Sequence, residues 1–303
     1  MTNPKPFLCG YVALVGKPNT GKSTLMNALV GEKLSITADR PQTTRHQILG
    51  IKTDEHSQCI FVDTPGIHQS QKKAINRYMN RAAHSVLEDV DIICCLLDVR
   101  HFNGDDVHIL QKIQTVADKV GHVILVLNKI DQIEKAKILP VLQRVSETFP
   151  NVDIIPVSAL KQENLQQLMI EIQRHLPEGV PHFPDDQLTD KPMRFIVEEI
   201  VREKLFRMLT QEIPYSLTVK VEHYKTEETI VRIAASIWVE RKSQKGIVIG
   251  NRGSMLKKIG SEARRDIEKL VDNKVYLQLW VKVREDWSDD EASLASFGYS
   301  SDS

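Results

Sequence analysis

Residues 16–23 constrain the fold of this 303-residue chain more than any other segment. They read Gly-Lys-Pro-Asn-Thr-Gly-Lys-Ser, which fits the pattern GxxxxGK followed by Ser or Thr, and they stand between an apolar run and a helical pattern. In such a loop the backbone N–H groups point at phosphate oxygens, the lysine adds a positive charge and the serine hydroxyl binds Mg2+. The alternative, a glycine-rich turn that matches the pattern by chance, is disfavoured because the segment follows a predicted strand and opens a predicted helix. The segment therefore predicts a phosphate-binding α/β domain.

The first 176 residues alternate short apolar runs with longer amphipathic ones. The short runs are residues 11–16, 58–63, 92–99, 122–128 and 154–157, and they are apolar on both faces. This is typical of strands that helices cover on both sides. Helical runs include 22–30, 105–120 and 165–175, and residues 46–52 predict an antiparallel edge strand. The order predicts a Ras-like α/β fold with a mostly parallel sheet and right-handed crossovers.

Three further motifs follow in the order that a guanine-nucleotide site requires. Asp63-Thr-Pro-Gly66 ends a strand, Asn128-Lys-Ile-Asp131 ends the fifth strand, and Ser158-Ala159 follows the sixth. The Asp131 carboxylate can accept hydrogen bonds from guanine N1–H and N2–H2. Adenine lacks that arrangement, so ATP would leave a desolvated charge unpaired. Asp63-Thr-Pro-Gly66 or Ser158-Ala159 alone is weak, but four motifs in order, each at the carboxyl end of a strand, predict GTP rather than ATP.

These motifs resemble the G1, G3, G4 and G5 signatures of the translation-factor-like GTPases. The resemblance implies that residues 42–46 are the G2 element, whose threonine closes over Mg2+ and the γ-phosphate; Thr44 is favoured and Thr43 stays open. Ile67 stands where Ras-like enzymes carry the glutamine that orients the attacking water. Isoleucine neither donates nor accepts a hydrogen bond. We therefore expect slow intrinsic hydrolysis and assign no side-chain general base.

Asn19 matches the asparagine that helps to hold a monovalent cation in potassium-activated GTPases of this branch. The resemblance implies a K+ ion that offsets charge developing on the phosphates, as an arginine finger does. A loop asparagine bonded to its own backbone is the open alternative.

The predicted nucleotide site divides by role. Its catalytic residues are Lys22, Thr44 and Gly66, and its metal ligands are Ser23, Thr44 and Asp63 for Mg2+, with Asn19 for K+. The predicted GTP-binding residues are Gly16, Lys17, Pro18, Asn19, Thr20, Gly21, Lys22, Ser23, Thr24, Asp63, Thr64, Pro65, Gly66, Ile67, Asn128, Lys129, Ile130, Asp131, Ser158 and Ala159.

The α/β pattern ends in a proline-rich stretch, which predicts a linker over residues 177–192 between a GTP-binding domain (1–176) and a second domain (193–287). In the second domain we expect a helix over 195–209, strands over 216–224 and 229–241, a glycine-containing turn, a helix from 254 to about 271 and a strand over 274–284. Residues 288–303 are acidic and serine-rich, and we expect a mobile tail.

A GxxG loop stands at residues 250–253 of the second domain. Between residues 241 and 265 there are eight Lys or Arg against one acid, although the formal net charge of the chain is zero. GxxG alone is weak, but with a basic helix behind it and strands on both sides it predicts a smaller α+β domain of the type II KH class, which clamps single-stranded RNA. A solvated charged helix is the alternative. The predicted RNA-binding residues are Ile247, Ile249, Gly250, Asn251, Arg252, Gly253, Lys257, Lys258, Arg264 and Arg265.

Taken together, the phosphate loop with its Pro-Asn, residues 42–46, 63–67, 184–190 and 246–265 resemble the Era family of bacterial ribosome-assembly GTPases. The resemblance spans about residues 10–299. It implies binding to small-subunit (16S) rRNA near its 3′ end, a role in small-subunit maturation, and weak peripheral contact with the inner membrane.

Composition fits a cytoplasmic protein, expected to be a monomer. Cys9, Cys59, Cys94 and Cys95 show no metal-ligand spacing, and neither a signal peptide nor a run of 18 uncharged apolar residues is present. The working hypothesis is a switch in which GTP reorients the KH domain. A constitutive RNA-binding scaffold and a membrane-recruited signalling GTPase are the rival hypotheses. A helicase is disfavoured, because the sequence predicts a single P-loop domain and no second motor lobe.

Overall fold

The computed structural model describes residues 6–38, 40, 43–66, 73–86, 89–117, 121–150, 152–210 and 213–299. They divide into two compact units. Unit 1 draws on Met1–Ser35, Thr44–Gln69 and Met79–Asp190; unit 2 draws on Ile36–Thr43, Ser70–Tyr78 and Lys191–Ser303. Each unit has its own sheet. No described helix is long and apolar enough to cross a bilayer.

Unit 1 contains a six-stranded sheet in the order β2-β3-β1-β4-β5-β6. Its strands are β1 Leu8–Gly16, β2 Ile48–Thr53, β3 Ser57–Asp63, β4 Ile92–Asp98, β5 His122–Asn128 and β6 Asp153–Pro156. All neighbours pair in parallel except β2, which is antiparallel to β3 at one edge. The central strands are buried almost along their whole length, as their continuous apolar sequences require.

Five helices accompany this sheet in the chain: α1 Lys22–Val30, α2 Ala74–Ser85, α3 Gly104–Ala117, α4 Lys135–Thr148 and α5 Leu165–His175. Because β1, β3, β4 and β5 run parallel, the loops that follow them lie at one edge of the sheet. That edge is where the sequence predicts the nucleotide site.

The proline-rich stretch runs along the outer strands of unit 1. Ile51 N donates to the carbonyl of Leu188 at 2.8 Å, and Leu49 N donates to Asp190 Oδ1 at 3.0 Å. The Gln58 side-chain oxygen accepts from the backbone N–H groups of His182 and Phe183. The predicted linker is therefore an ordered strap over β2 and β3 up to Asp190.

Unit 2 contains the sheet β7-β8-β9, formed by Leu217–Thr226, Ile230–Val239 and Lys274–Val283. β7 and β8 are antiparallel, and β8 and β9 are parallel. Its helices are α6 Met193–Met208, α7 Lys242–Ile249, α8 Ser254–Val271 and α9 Glu291–Ser296. Apolar side chains of α6, α8 and one face of the sheet form a single core, which includes Val201, Ile233, Ile259 and Val281.

Two expectations for unit 2 are wrong. The glycine-containing turn before the GxxG loop is instead α7, which begins at Lys242, where the side-chain oxygen of Gln244 accepts from the backbone N–H of Arg241 at 2.9 Å. The expected mobile tail is ordered as far as Tyr299. Trp287 is fully buried, and Phe297 and Tyr299 pack against its ring with centroids 5.4 and 6.0 Å away, because aromatic burial outweighs the acidic, serine-rich composition. Residues 300–303 lie outside the described residues.

Candidate functional site

The phosphate loop connects β1 to α1 and closes around the side chain of Lys22. This ammonium is buried and donates to the carbonyls of Gly16 and Lys17, each at 3.1 Å. Thr20 Oγ1 donates to the Lys17 carbonyl at 2.9 Å, which stiffens the same turn. The loop thus presents one lysine charge at its centre, where the phosphates of a nucleotide would lie.

Side-chain oxygen atoms of Ser23, Thr44 and Asp63 lie close together near Lys22. Ser23 Oγ donates to Asp63 Oδ2 at 2.6 Å and lies 2.8 Å from Thr44 Oγ1, and Thr44 Oγ1 lies 3.5 Å from the same carboxylate oxygen. Ser35 Oγ also donates to Asp63 Oδ2, at 2.8 Å. The other oxygen, Asp63 Oδ1, is buried and has no hydrogen-bond partner among the described residues. Thr43 Oγ1 instead donates to the Arg40 carbonyl.

Burial sets the protonation of this cluster. It raises the pKa of Asp63, although the hydrogen bond from Ser23 and the charge of Lys22 work in the opposite direction. It also lowers the pKa of Lys22, partly offset by Asp63. Both pKa shifts arise because burial disfavours the charged form of each side chain. A cation beside Asp63 and phosphates beside Lys22 would stabilise those charged forms.

Asn128, at the end of β5, connects three of the predicted motifs. Its Nδ2 donates to the Thr20 carbonyl at 2.8 Å, while its Oδ1 accepts from the Lys129 N–H at 2.8 Å and from the Ala159 N–H at 3.0 Å. Because its polar atoms are used inside the protein, this buried side chain holds the three loops of the predicted nucleotide site together. Asp131 Oδ1 accepts from Ser158 Oγ at 2.6 Å, so the predicted base-reading carboxylate is held by the last motif.

Lys129 crosses from the guanine motif to the phosphate loop. Its Nζ donates to the Asn19 carbonyl at 2.5 Å and lies 2.8 Å from Asp98 Oδ2. Burial opposes ionisation of Asp98, but hydrogen bonds from Arg100 and Lys129 outweigh it and hold the pKa of this carboxyl well below its ordinary value. The Lys129 side chain thereby joins the phosphate loop to the end of β4.

The remaining predicted nucleotide residues lie around these contacts. Lys17 Nζ bonds Asn103 and Asp106 near the start of α3, at 2.7 and 2.9 Å. Thr64 Oγ1 donates to the Leu14 carbonyl. Gly66 is buried against the phosphate loop, so that a Cβ there would lie 2.9 Å from Pro18 Cγ. Thr24 is in α1, Pro65 and Ile130 are buried, and Ile67 lies outside the described residues.

The GxxG loop joins α7 to α8. Gly250 has φ +73° and ψ 176°, Arg252 has φ +50° and Gly253 has φ +80°. Asn251 and Arg252 are exposed. A backbone with these torsions turns sharply and leaves its tip accessible to a ligand.

A groove of about 400 Å³ runs beneath this loop, between α8 and β9. Gly253, Leu256, Lys257, Gly260 and Arg264 line it from the loop and helix, and Leu277 and Leu279 line it from the strand. An apolar floor with basic side chains at the rim suits nucleobases and phosphates together.

The predicted RNA-binding residues do not all share this groove. Arg265 instead lines a second concavity with Lys204 and Asp266, and Lys258 is exposed on α8. Ile247 is 51% exposed, whereas Ile249 packs partly into the core of unit 2. Leu256, Gly260, Leu277 and Leu279 line the groove but are not among the predicted residues, although the spacing 253, 256, 260, 264 marks one helical face.

Fold and site together define a P-loop GTPase that carries a KH domain. Two family descriptions match the corresponding parts of the chain: 50S ribosome-binding GTPase at residues 11–129, and KH domain at residues 212–288. The predicted fold class, a Ras-like domain followed by a KH domain, is therefore confirmed.

The chain belongs to the Era family of GTPases. It is 49% identical over 300 residues to GTPase Era of Pseudomonas putida strain F1, and 50% identical over 300 residues to GTPase Era of Pseudomonas fluorescens strain Pf-5. In each case the match covers 99% of both chains. The resemblance on which the sequence prediction relied is thus confirmed, and the chain is a GTPase of this family.

Two solved Era structures share the whole architecture. A variant of Aquifex aeolicus Era bound to GDP·AlF4− superposes with a TM-score of 0.92 at 39% identity, covering 97% of this chain and 100% of that one. Era in complex with MgGDPNP and nucleotides 1506–1542 of 16S ribosomal RNA superposes with a TM-score of 0.92 at 40% identity, covering 97% and 99%.

Proposed function

We propose that this GTPase binds small-subunit (16S) rRNA near its 3′ end through its KH domain and assists maturation of the small ribosomal subunit. The observation that carries the proposal is the groove between α8 and β9 beneath the GxxG loop. The related Era complex with MgGDPNP and nucleotides 1506–1542 of 16S rRNA supports the same target here. A KH groove clamps about four nucleotides, so the expected ligand is a short unpaired segment.

Mg2+ is the metal that we propose for the nucleotide site, held by Ser23, Thr44 and Asp63. Hydroxyl and carboxylate oxygens are its preferred protein ligands, and the buried, unpartnered Asp63 Oδ1 fits a group that a cation would satisfy. When bound, the ion neutralises charge on the β- and γ-phosphates.

Catalysis in this proposal rests on positioning. Lys22 exchanges its two carbonyl acceptors for phosphate oxygens. The Gly66 N–H donates to the γ-phosphate, and Thr44 closes over it. Since position 67 is isoleucine, hydrolysis without a partner is slow.

A K+ ion beside Asn19 is a second cofactor proposal. Lys129 holds the backbone carbonyl of Asn19, and Asn19 is exposed at the surface of the loop. Its side chain is therefore accessible to an ion, which supports the proposal. Turnover should be faster in KCl than in NaCl at equal ionic strength; equal rates would overturn the potassium site.

We further propose that the nucleotide state reaches the RNA groove through residues 36–43, which belong to unit 2. Arg202 Nη2 on α6 donates to the Thr43 carbonyl at 2.5 Å, and Arg207 donates to the carbonyl and hydroxyl of Thr37. Thr43 directly precedes Thr44. Closure of Thr44 over Mg2+ therefore pulls on a segment that α6 holds, the kind of order change that couples γ-phosphate to other domains.

Coupling is tested by RNA affinity with GDP and with a non-hydrolysable GTP analogue. The two affinities should differ, and Arg207→Ala should shrink the difference, whereas Arg194→Ala, an exposed arginine on the same helix, should preserve it. Identical affinities in the unmodified protein would refute the switch while leaving both activities in place. They would favour the constitutive scaffold.

In-cell RNA crosslinking of the full chain tests the target. Reads should concentrate near the 3′ end of small-subunit rRNA and disappear in Asn251→Asp/Arg252→Asp. A control, Lys135→Asp/Ala136→Asp, makes the same charge change on exposed residues of α4 and should keep them. Residues 11–129 match a family described as a 50S ribosome-binding GTPase, so reads on large-subunit rRNA would overturn the small-subunit target.

A cytoplasmic monomer with weak peripheral membrane contact completes the proposal. The membrane-recruited signalling rival predicts that Asn251→Asp/Arg252→Asp changes nothing in cells. Growth of cells that depend on the variant therefore separates the two.

A further inference from the structure

Three side chains with metal-binding chemistry meet at the edge of the unit 1 sheet opposite to the nucleotide site. His122 begins β5, Asp153 begins β6 and His175 ends α5. One ligand atom from each lies within 4.8 Å of the other two. The strands β5 and β6 lead from this cluster to the guanine motifs at their far ends, so the cluster is not part of the nucleotide site.

One carboxylate oxygen is the centre of the cluster. His122 Nε2 lies 2.8 Å from Asp153 Oδ2, and His175 Nε2 lies 3.7 Å from the same oxygen. The two imidazole rings stack with centroids 3.4 Å apart and an interplanar angle of 8°. Both rings thus direct the same nitrogen toward one acceptor.

A second carboxylate stands beside His175. Glu171 precedes it by one helical turn, and its Oε1 lies 3.1 Å from His175 Nε2. Residues i and i+4 on a helix share a face, so this pair can chelate an ion from one element. His175 is also in the last turn of α5, where the helix dipole favours a cation.

We propose that His122, Asp153 and His175 bind a Zn2+ ion, with Glu171 or water completing the coordination. Imidazole and carboxylate are zinc ligands, whereas Mg2+ prefers oxygen alone. In a tetrahedral site with bonds of ~2.0–2.1 Å, neighbouring ligand atoms lie about 3.4 Å apart, close to the present spacing.

The ion would replace the hydrogen bonds that now join these side chains. Parallel rings must splay slightly for both nitrogens to reach one ion. The exposed fractions of the histidine side chains, 27% each, leave room for that rotation and for a water ligand. In the alternative without an ion, His122 stays bonded to Asp153, His175 stays bonded to Glu171, and the two rings remain stacked.

A metal here would tie the starts of β5 and β6 to the end of α5. Those strands carry Asn128 and lead to Ser158 at their other ends. The site would act on the rigidity of the guanine pocket and does not depend on the RNA proposal.

Titration calorimetry of the full-length, tag-free protein with ZnCl2 tests the site, with Mg2+ and GDP saturating to occupy the nucleotide site. One equivalent should bind. His122→Gln and His175→Gln should each weaken binding at least tenfold, whereas His223→Gln, an exposed histidine on β7, should not. No binding, or binding that both variants retain, overturns the proposal.

X-ray absorption at the zinc edge on the unmodified protein gives an answer even if a variant fails to fold. Two imidazole ligands with oxygen are expected. Sulfur ligands, which would report Cys9, Cys59, Cys94 or Cys95, would overturn the assignment.

Discussion

Gly21 of the phosphate loop lies directly against the side chain of Asn128 at the end of β5: a Cβ at position 21 would stand 2.3 Å from Asn128 Nδ2. The two predicted motifs are thus in van der Waals contact. The same Asn128 holds the Thr20 carbonyl and the Ala159 N–H. We therefore expect nucleotide binding to depend on this contact between loops as well as on each loop.

Gly21→Ala should lower the affinity for GDP and GTP by roughly tenfold or more, because the added methyl displaces Asn128 and two hydrogen bonds worth about 1 kcal/mol each. Gly31→Ala is the matched control, since Gly31 also has positive φ, +95°, but nothing within 4 Å of its Cβ position. That control should cost about 1 kcal/mol of stability and leave affinity intact. Titration with a fluorescent guanine nucleotide measures both; equal losses would contradict the contact.

Thr44→Val should reduce Mg2+-dependent GTP turnover at least tenfold, because its hydroxyl lies in the oxygen cluster with Ser23 and Asp63. Thr43→Val should keep most of the turnover, since its hydroxyl bonds the Arg40 carbonyl instead. Single-turnover assays at saturating Mg2+ compare the two. The reverse ranking would make Thr43 the ligand.

Asp98→Asn should flatten the acid side of the stability curve. The pKa of Asp98 is held below its ordinary value, so its contribution is present above about pH 4, the unfolded pKa, and is lost as pH falls toward the folded pKa. At pH 7 the variant should lose about 1 kcal/mol or less, since the side chain is partly exposed. Urea unfolding from pH 3 to 7 measures this, with exposed Asp185→Asn as control. An unchanged pH profile in Asp98→Asn would contradict it.

The two glycines of the GxxG loop should respond differently to alanine. A Cβ at Gly250 would lie 2.7 Å from Met255 Cβ, so Gly250→Ala should destabilise the KH domain by about 2 kcal/mol or more. A Cβ at Gly253 would have nothing within 4 Å, so Gly253→Ala should lower the free energy of unfolding by only about 1 kcal/mol. It should still weaken RNA binding, because Gly253 lines the groove and the added methyl would enter it. Thermal unfolding and RNA titration separate the effects. Undiminished RNA affinity in Gly253→Ala would place the RNA elsewhere.

Sequence patterns predicted unit 1 well where the physical signal is local. α1, α5 and β5 have the predicted bounds, because a glycine loop, amphipathic spacing and an unbroken apolar run each mark them. α4 was not predicted. Its sequence contains Pro140, which usually ends a helix, and Leu139 is 71% exposed, so the apolar residues do not mark one face clearly.

The predicted site residues came from motifs. The residues that were not predicted contact the motifs from positions far away in the sequence. Asp98 contacts Lys129, Ser35 contacts Asp63, and Asn103 contacts Lys17, and none of the first-named residues belongs to a motif. Only the fold brings such pairs together. The ordered tail was missed for the same reason, since Trp287 and Tyr299 bury each other only after the chain turns back.

The strap at residues 182–190 occupies the open side of β2. Exposed strand edges are templates for pairing with other chains, and here Leu188 and Asp190 accept the N–H groups that β2 would otherwise offer. An isolated G domain that stops at Leu176 would lose this cover and be prone to self-association. One that extends to Asp190 would keep it, so the stretch that joins the domains also acts as a guard against aggregation.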